Sequence, residues 1–220
     1  MTNTIIPVVT PIMPRMINVE SVTDTTVLTM LSLVLLIGIS MFVGWTLSRV
    51  MQSKGMKTNH AAVLSISGVF AIILFAKYGL TITAVQGLFL LFVLLYASCS
   101  DLTSHTVDDS LWLMVFALSL ASVSKIGLGS MLLGAGCVFI PQMAMALLPP
   151  HKTLGGADIK LSTALAFLLG GWRGIGAYLV GLVLAVLVMS IYNRCTNRCK
   201  KAPFALVPFI SIGAMLMFLI

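Results

Sequence analysis

The sequence predicts an all-α membrane protein: a polytopic bundle of about eight transmembrane helices with both termini outside. First, 59% of its 220 residues are hydrophobic and only 9% are charged, and the mean hydropathy is +1.10. A water-soluble domain carries about 25% charged residues, so this composition suits lipid rather than water as the main solvent. Second, the apolar residues form continuous runs of roughly 16–22 residues, without the alternation of a barrel strand. In lipid such a run satisfies its backbone polar groups as a helix. Third, Lys and Arg fall unequally on alternate loops.

Residues 1–26 are polar and rich in Thr and Pro. They lack the basic and apolar regions of a signal peptide and are expected to form a short tail. Residues 27–220 are expected to form a single transmembrane domain. Its spans are predicted at Val27–Ser48, Ala61–Ala76, Ile82–Ser100, Ser110–Ser124, Leu128–Leu148, Ile159–Leu169, Ile175–Tyr192 and Phe204–Ile220. Pro149-Pro150 stops the fifth. The fourth and sixth begin beside acidic residues, and the sixth is short. Small residues such as Gly134, Gly136 and the Gly170–Gly174 stretch suit close helix packing in lipid.

One set of loops holds Arg49, Lys54, Lys57, Lys152, Lys160, Arg194, Arg198, Lys200 and Lys201. The other side holds Arg15, Lys77, Lys125 and Arg173. The richer side is expected to be cytoplasmic. The net charge of +7 follows from these loops and gives no reason to expect nucleic acid as a partner. Cys99 and Cys137 lie in apolar surroundings and suit packing. Cys195 and Cys199 have the spacing C-x-x-x-C, but no other Cys or His lies near them in sequence, so neither a metal site nor a disulfide framework is expected.

There are six acidic residues: Glu20, Asp24, Asp101, Asp108, Asp109 and Asp158. Asp101 ends the third span and Asp158 precedes the sixth. Two crossings separate them, so both fall at the same, cytoplasmic, boundary. A pair of carboxylates at one depth suits acid–base hydrolysis: the ionised one takes a proton from water and the protonated one donates to the peptide oxygen. Ionisable groups at membrane depth are expensive and tend to be functional. The alternative for either residue is a helix cap, Asp158 being well placed as an N-cap. In Gly155-Gly156-Ala157-Asp158-Ile159-Lys160-Leu161, the small residues leave room for a substrate backbone, and Lys160 suits the interface.

Three segments resemble the type IV prepilin peptidase family, G-x-G-D intramembrane aspartyl proteases. They are Asp101-Leu102-Thr103-Ser104-His105-Thr106-Val107-Asp108-Asp109, the Gly155–Leu161 segment, and Ala202-Pro203-Phe204-Ala205-Leu206-Val207-Pro208-Phe209, which runs on to Ala214. The likeness spans about residues 80 to 220. It implies that Asp101 and Asp158 are the catalytic pair and that Gly155, Gly156, Ala157 and Lys160 form a supporting loop. It also implies that the substrates are type IV prepilin-like proteins losing a short basic leader on the cytoplasmic side of the inner membrane, without a cofactor. Asp108 and Asp109 are candidates for recognising that leader, although a turn and N-cap before Leu111 accounts for them equally. His105 is more simply a solvated loop residue than part of the site.

The sequence departs from the family in two ways. Ala157 stands where the family has the second Gly of G-x-G-D, and Asp108-Asp109 where it has Pro-Asn. The Arg49–His60 loop is short and free of cysteine, unlike the C-x-x-C domain of larger, methylating members, so methylation is not expected. The compact form is similar to the tight-adherence or archaellum peptidases. The competing classes are a small multispanning transporter, whose ionisable groups belong near the midplane, and a non-catalytic membrane component of a pilus or secretion apparatus.

Overall fold

A computed structural model describes residues 19–56, 58–104, 107–147, 155–196 and 205–220. His105, Cys199, the loop around Lys152 and the start of the Ala202–Ala214 segment lie outside the described residues, as does the side chain of Cys195. The described elements are α1 (Val19–Ser53), α2 (His60–Tyr78), α3 (Ile82–Ser104), α4 (Ser110–Leu120), α5 (Val123–Ile126), α6 (Leu128–Leu147), α7 (Gly156–Leu169), α8 (Gly171–Thr196) and α9 (Val207–Leu219). Among the described residues there are no strands.

Five helices are long and apolar enough to cross a bilayer: α1 from Val27, then α2, α3, α6 and α8. Their outward faces are apolar, as at Leu31, Val34, Ile72, Leu133 and Val186, which suits contact with lipid tails. Several elements differ in extent from expectation. Helix α1 already includes Val19, inside the expected polar tail, and no Pro or Gly interrupts it before Gly38. The predicted fourth span is two helices. Tight turns from Ala121 N–H to the Leu118 carbonyl and from Ser122 N–H to Ser119 close α4. Gln86 of α3 donates to the Leu118 carbonyl and to Ser122 Oγ, holding the break open. Gly127, at φ 82°, then starts α6.

Helix α7 is short, as its sequence suggests. Its 14 residues reach only about 21 Å at 1.5 Å per residue, yet it is the centre of the bundle. Leu161, Leu165 and Leu168 are almost fully buried, with Ala164, Ala166 and Phe167 beside them. A helix apolar all round is one enclosed by other helices, here α4, α6, α8 and α9. Two glycines let its neighbours approach. A Cβ on Gly134 of α6 would stand 2.9 Å from the Ala166 carbonyl oxygen, and one on Gly174 of α8 2.5 Å from it. Gly213 of α9 is pressed in the same way against the Ala177 carbonyl of α8. Gly136 meets nothing within 4 Å and has no such role.

Polar side chains collect at the two ends of the bundle. Lys54, Tyr96, Asp101, Asp108, Asp109, Asp158 and Lys160 lie towards one end. At the other, Lys125 donates to Thr83 Oγ1 at 2.6 Å, and a cavity of about 200 Å³ is lined by Tyr78, Gln86, Lys125 and Arg173 among others. Gln86 and Asp101 stand roughly 20 Å apart along α3.

Candidate active site

Asp101 lies in the last turn of α3 and is 6% exposed. Its carboxylate is held from α9. The Val207 N–H donates to Asp101 Oδ2 at 3.0 Å. Val207 is the first residue of α9 and Pro208 follows it. The first N–H groups of a helix have no partner within it, and the positive end of the helix dipole favours an anion there. The last of the three family-like segments thus has a physical role that spacing did not reveal: it gives Asp101 a backbone donor. The usable signal was Pro208, which marks a helix start and so an orphan donor beside it.

Asp158 is the third residue of α7. Gly155 occupies the cap position, without a side-chain bond to the helix. Asp158 is therefore not the N-cap that its place in the sequence suggested. It is partly buried and lies close enough to Asp101 for the two charges to interact. Burial first, and the Asp101 charge second, raise its carboxyl from 3.8 to about 6. The glycines before it are not equivalent. A Cβ on Gly155 would meet Asp158 Oδ2 at 3.2 Å, whereas Gly156 faces open space. Ala157 completes the segment, half-exposed.

Asp108 and Asp109 are already engaged. Lys54 Nζ donates to Tyr96 Oη at 2.6 Å, and Tyr96 donates to Asp108 Oδ2 at 3.0 Å; Lys54 Nζ also lies 3.7 Å from that oxygen. The Tyr96 hydrogen bond, with Asp108 behind it, raises the Lys54 ammonium above its ordinary value. Asp109 holds the N-cap position of α4 but makes no capping bond, and pairs with Lys160 Nζ at 2.9 Å. Lys160 thus faces Asp109 across the α4–α7 contact. Both ion pairs are exposed.

Inside the bundle behind Asp158 is a polar cluster that sequence reasoning passed over. Gln142 of α6 is 1% exposed. Ser162, one turn after Asp158, lies 2.9 Å from Gln142 Oε1 and 2.7 Å from the Asp158 carbonyl oxygen. Tyr178 of α8 is near both Gln142 and Asp158. A single Gln in the apolar run Leu128–Leu147, directly after Pro141, was the available signal.

A multi-pass, all-helical membrane protein with a carboxylate pair at one end of the bundle is the class these features define. Residues 88–193 match the family model described as the type IV leader peptidase family, which supports a member of that family of peptidases. The matched stretch runs from α3 into α8 and contains both Asp101 and Asp158. No curated protein and no solved structure matches.

Proposed function

We propose that this protein is an aspartic endopeptidase of the inner membrane that removes the short basic leader of type IV pilin-like precursors at the cytoplasmic face. The observation that carries the reading is the interaction of two carboxylates, Asp101 and Asp158, in different environments within the family-matched stretch. Asp158, whose carboxyl is raised to about 6, takes up a proton more readily than an ordinary carboxylate and acts as the acid in its protonated form. Asp101, with the α9 N-terminus behind it, acts as the base. Asp101 takes a proton from water as its oxygen attacks the scissile carbonyl carbon, while Asp158 protonates the carbonyl oxygen. Collapse of the tetrahedral diol breaks the C–N bond, the amine leaves with the proton from Asp101, and Asp158 regains its own. Open space at Gly156 gives the substrate backbone an approach to Asp158.

Residues 27–220 act as one domain, and α4 with α5 forms a single pass, so that eight passes leave both termini outside. In support, Lys54 and Lys160 lie at the end bearing the carboxylates and Lys125 and Arg173 at the other, in keeping with a cytoplasmic basic side. Asp108 and Asp109 receive the basic leader by exchanging their Lys54 and Lys160 partners for its cations. Alongside, an apolar groove of about 390 Å³ between α2, α3 and α9 passes Ser98 and Pro208, the latter next to the Val207 that donates to Asp101, and suits an apolar stretch of the substrate. Co-expression with a candidate precursor carrying a short basic leader, followed by N-terminal sequencing, tests the reading. Cleavage at one bond after the leader is expected, and an intact precursor beside accumulated protein would refute it.

A further inference from the structure

The buried cluster behind Asp158 contains a hydrogen-bonding conflict. Ser162 Oγ lies within hydrogen-bond distance of three acceptors: the Asp158 carbonyl oxygen at 2.7 Å, Gln142 Oε1 at 2.9 Å and the Ile159 carbonyl oxygen at 3.1 Å. A serine hydroxyl has one hydrogen. Gln142, 1% exposed, has at the same time no partner for its Nε2. A buried amide donor left unmade is destabilising. Turning the amide over removes both difficulties, because the two ends of a glutamine amide have nearly the same shape. Ser162 then gives its hydrogen to the Asp158 carbonyl, its nearest acceptor, and receives one from Gln142 Nε2. After that turn the Gln142 carbonyl is the group offered to Tyr178, its neighbour on α8.

We propose that Gln142 is a positioning residue for Asp158, tying the first turn of α7 to α6 through Ser162 and to α8 through Tyr178. The lead into α7 makes such an anchor necessary. Gly155 and Gly156 bring no side chain to fix the start of α7, so beyond the bonds from the Asp158 and Ile159 N–H groups to the Gly155 carbonyl, the turn that carries Asp158 is held through Ser162. Asp101 is fixed from α9 by the Val207 N–H, so the separation of the two carboxylates depends on what fixes Asp158. The Ser162 hydroxyl grips the carbonyl of Asp158 itself, one helical turn away, and Gln142 orients that hydroxyl. The chain Tyr178–Gln142–Ser162–Asp158 thus joins three helices to the turn that carries the acid. Gln142 touches no reacting atom, and its effect passes through Asp158.

The proposal rests on the peptidase reading, and the test separates the two. Purified full-length protein is assayed on a synthetic precursor peptide with a short basic leader and an apolar stretch, with Asp158→Asn as the inactive control. Gln142→Met keeps the length and removes the amide. It is expected to lower kcat by roughly 10- to 100-fold, the range for a misplaced catalytic group, with KM within about twofold of wild type. Tyr178→Phe, which keeps the ring and tests the same chain if Gln142→Met fails to accumulate, is expected to lower kcat in the same sense. It is also expected to add little to the loss in Gln142→Met, since members of one network are non-additive. An unchanged kcat in both variants, or losses that multiply independently, would overturn the proposal while active wild type and inactive Asp158→Asn leave the peptidase reading standing. A wild-type protein without cleavage would remove both.

Discussion

Replacing Asp158 by Asn is expected to make the protein more stable at neutral pH while abolishing its activity. The folded state raises the Asp158 carboxyl from 3.8 to about 6, chiefly through burial and then through Asp101. Between those values the folded chain binds more protons than the unfolded one, so the contribution of this group to stability is greatest below about pH 4 and falls as pH rises to about 6. Above that it is a constant penalty. At about 1.4 kcal/mol per pH unit the penalty comes to about 3 kcal/mol. Asp158 is only partly buried, and screening by solvent reduces this to about 1–2 kcal/mol. Asn, neutral throughout, removes it. For a chain of this size, the melting temperature of Asp158→Asn is expected to exceed that of wild type by roughly 3–6 °C at pH 7.5, and the gap is expected to close by pH 4. Thermal unfolding in detergent from pH 4 to 7.5 measures it. A gap independent of pH, or a variant less stable at pH 7.5, would refute the account of why Asp158 takes up a proton readily.

Gly155→Ala is expected to lower cleavage by about tenfold, because its Cβ, 3.2 Å from Asp158 Oδ2, displaces that carboxylate. Gly156→Ala faces open space and is expected to raise KM only, by blocking the substrate's approach; equal effects at the two positions, in steady-state kinetics, would contradict this. Neutralising Asp108 and Asp109 to Asn together is expected to raise KM severalfold with little change in kcat, at about 0.2–1 kcal/mol for each exposed pair, and high salt is expected to erase the difference. An effect confined to kcat would instead assign them a structural role. A reporter active only outside the membrane is expected to work when fused after Ile220 and to be silent in the loop near Lys200, and the reverse pattern would contradict the topology.

Composition and run length made the helical membrane class legible, because lipid leaves a continuous apolar run few alternatives. The two aspartates stood out for a related reason: with so few acidic residues, two at one boundary are conspicuous. Length was a poorer guide to depth. Helix α7, among the shortest apolar runs, is the most enclosed, since its burial depends on glycines in α6 and α8 that let those helices close on Ala166. The break after α4 depends on Gln86, more than thirty residues earlier in the chain. The same holds for the site. The Val207 donor reaches Asp101 across 106 residues, and Gln142 meets Ser162 across a connection whose length carries no record of the contact. Local pattern identified which side chains are chemically unusual; the folding of distant segments together decides what each one touches. Asp109 makes the point in reverse: it takes the N-cap position its sequence suggested, yet its side chain turns to Lys160.

The central claim is that Asp101 and Asp158 act as one proton-sharing unit. Cleavage of a leader-bearing precursor by Asp101→Asn, Asp158→Asn and the double variant, each scored against the amount of protein accumulated in the membrane, tests it most directly. Asn keeps the size of the side chain and can still accept from the Val207 N–H, but it cannot cycle a proton. The account predicts that each single variant accumulates and fails to cleave, and that the double variant is little worse than either. Near-normal cleavage by either single variant would contradict it.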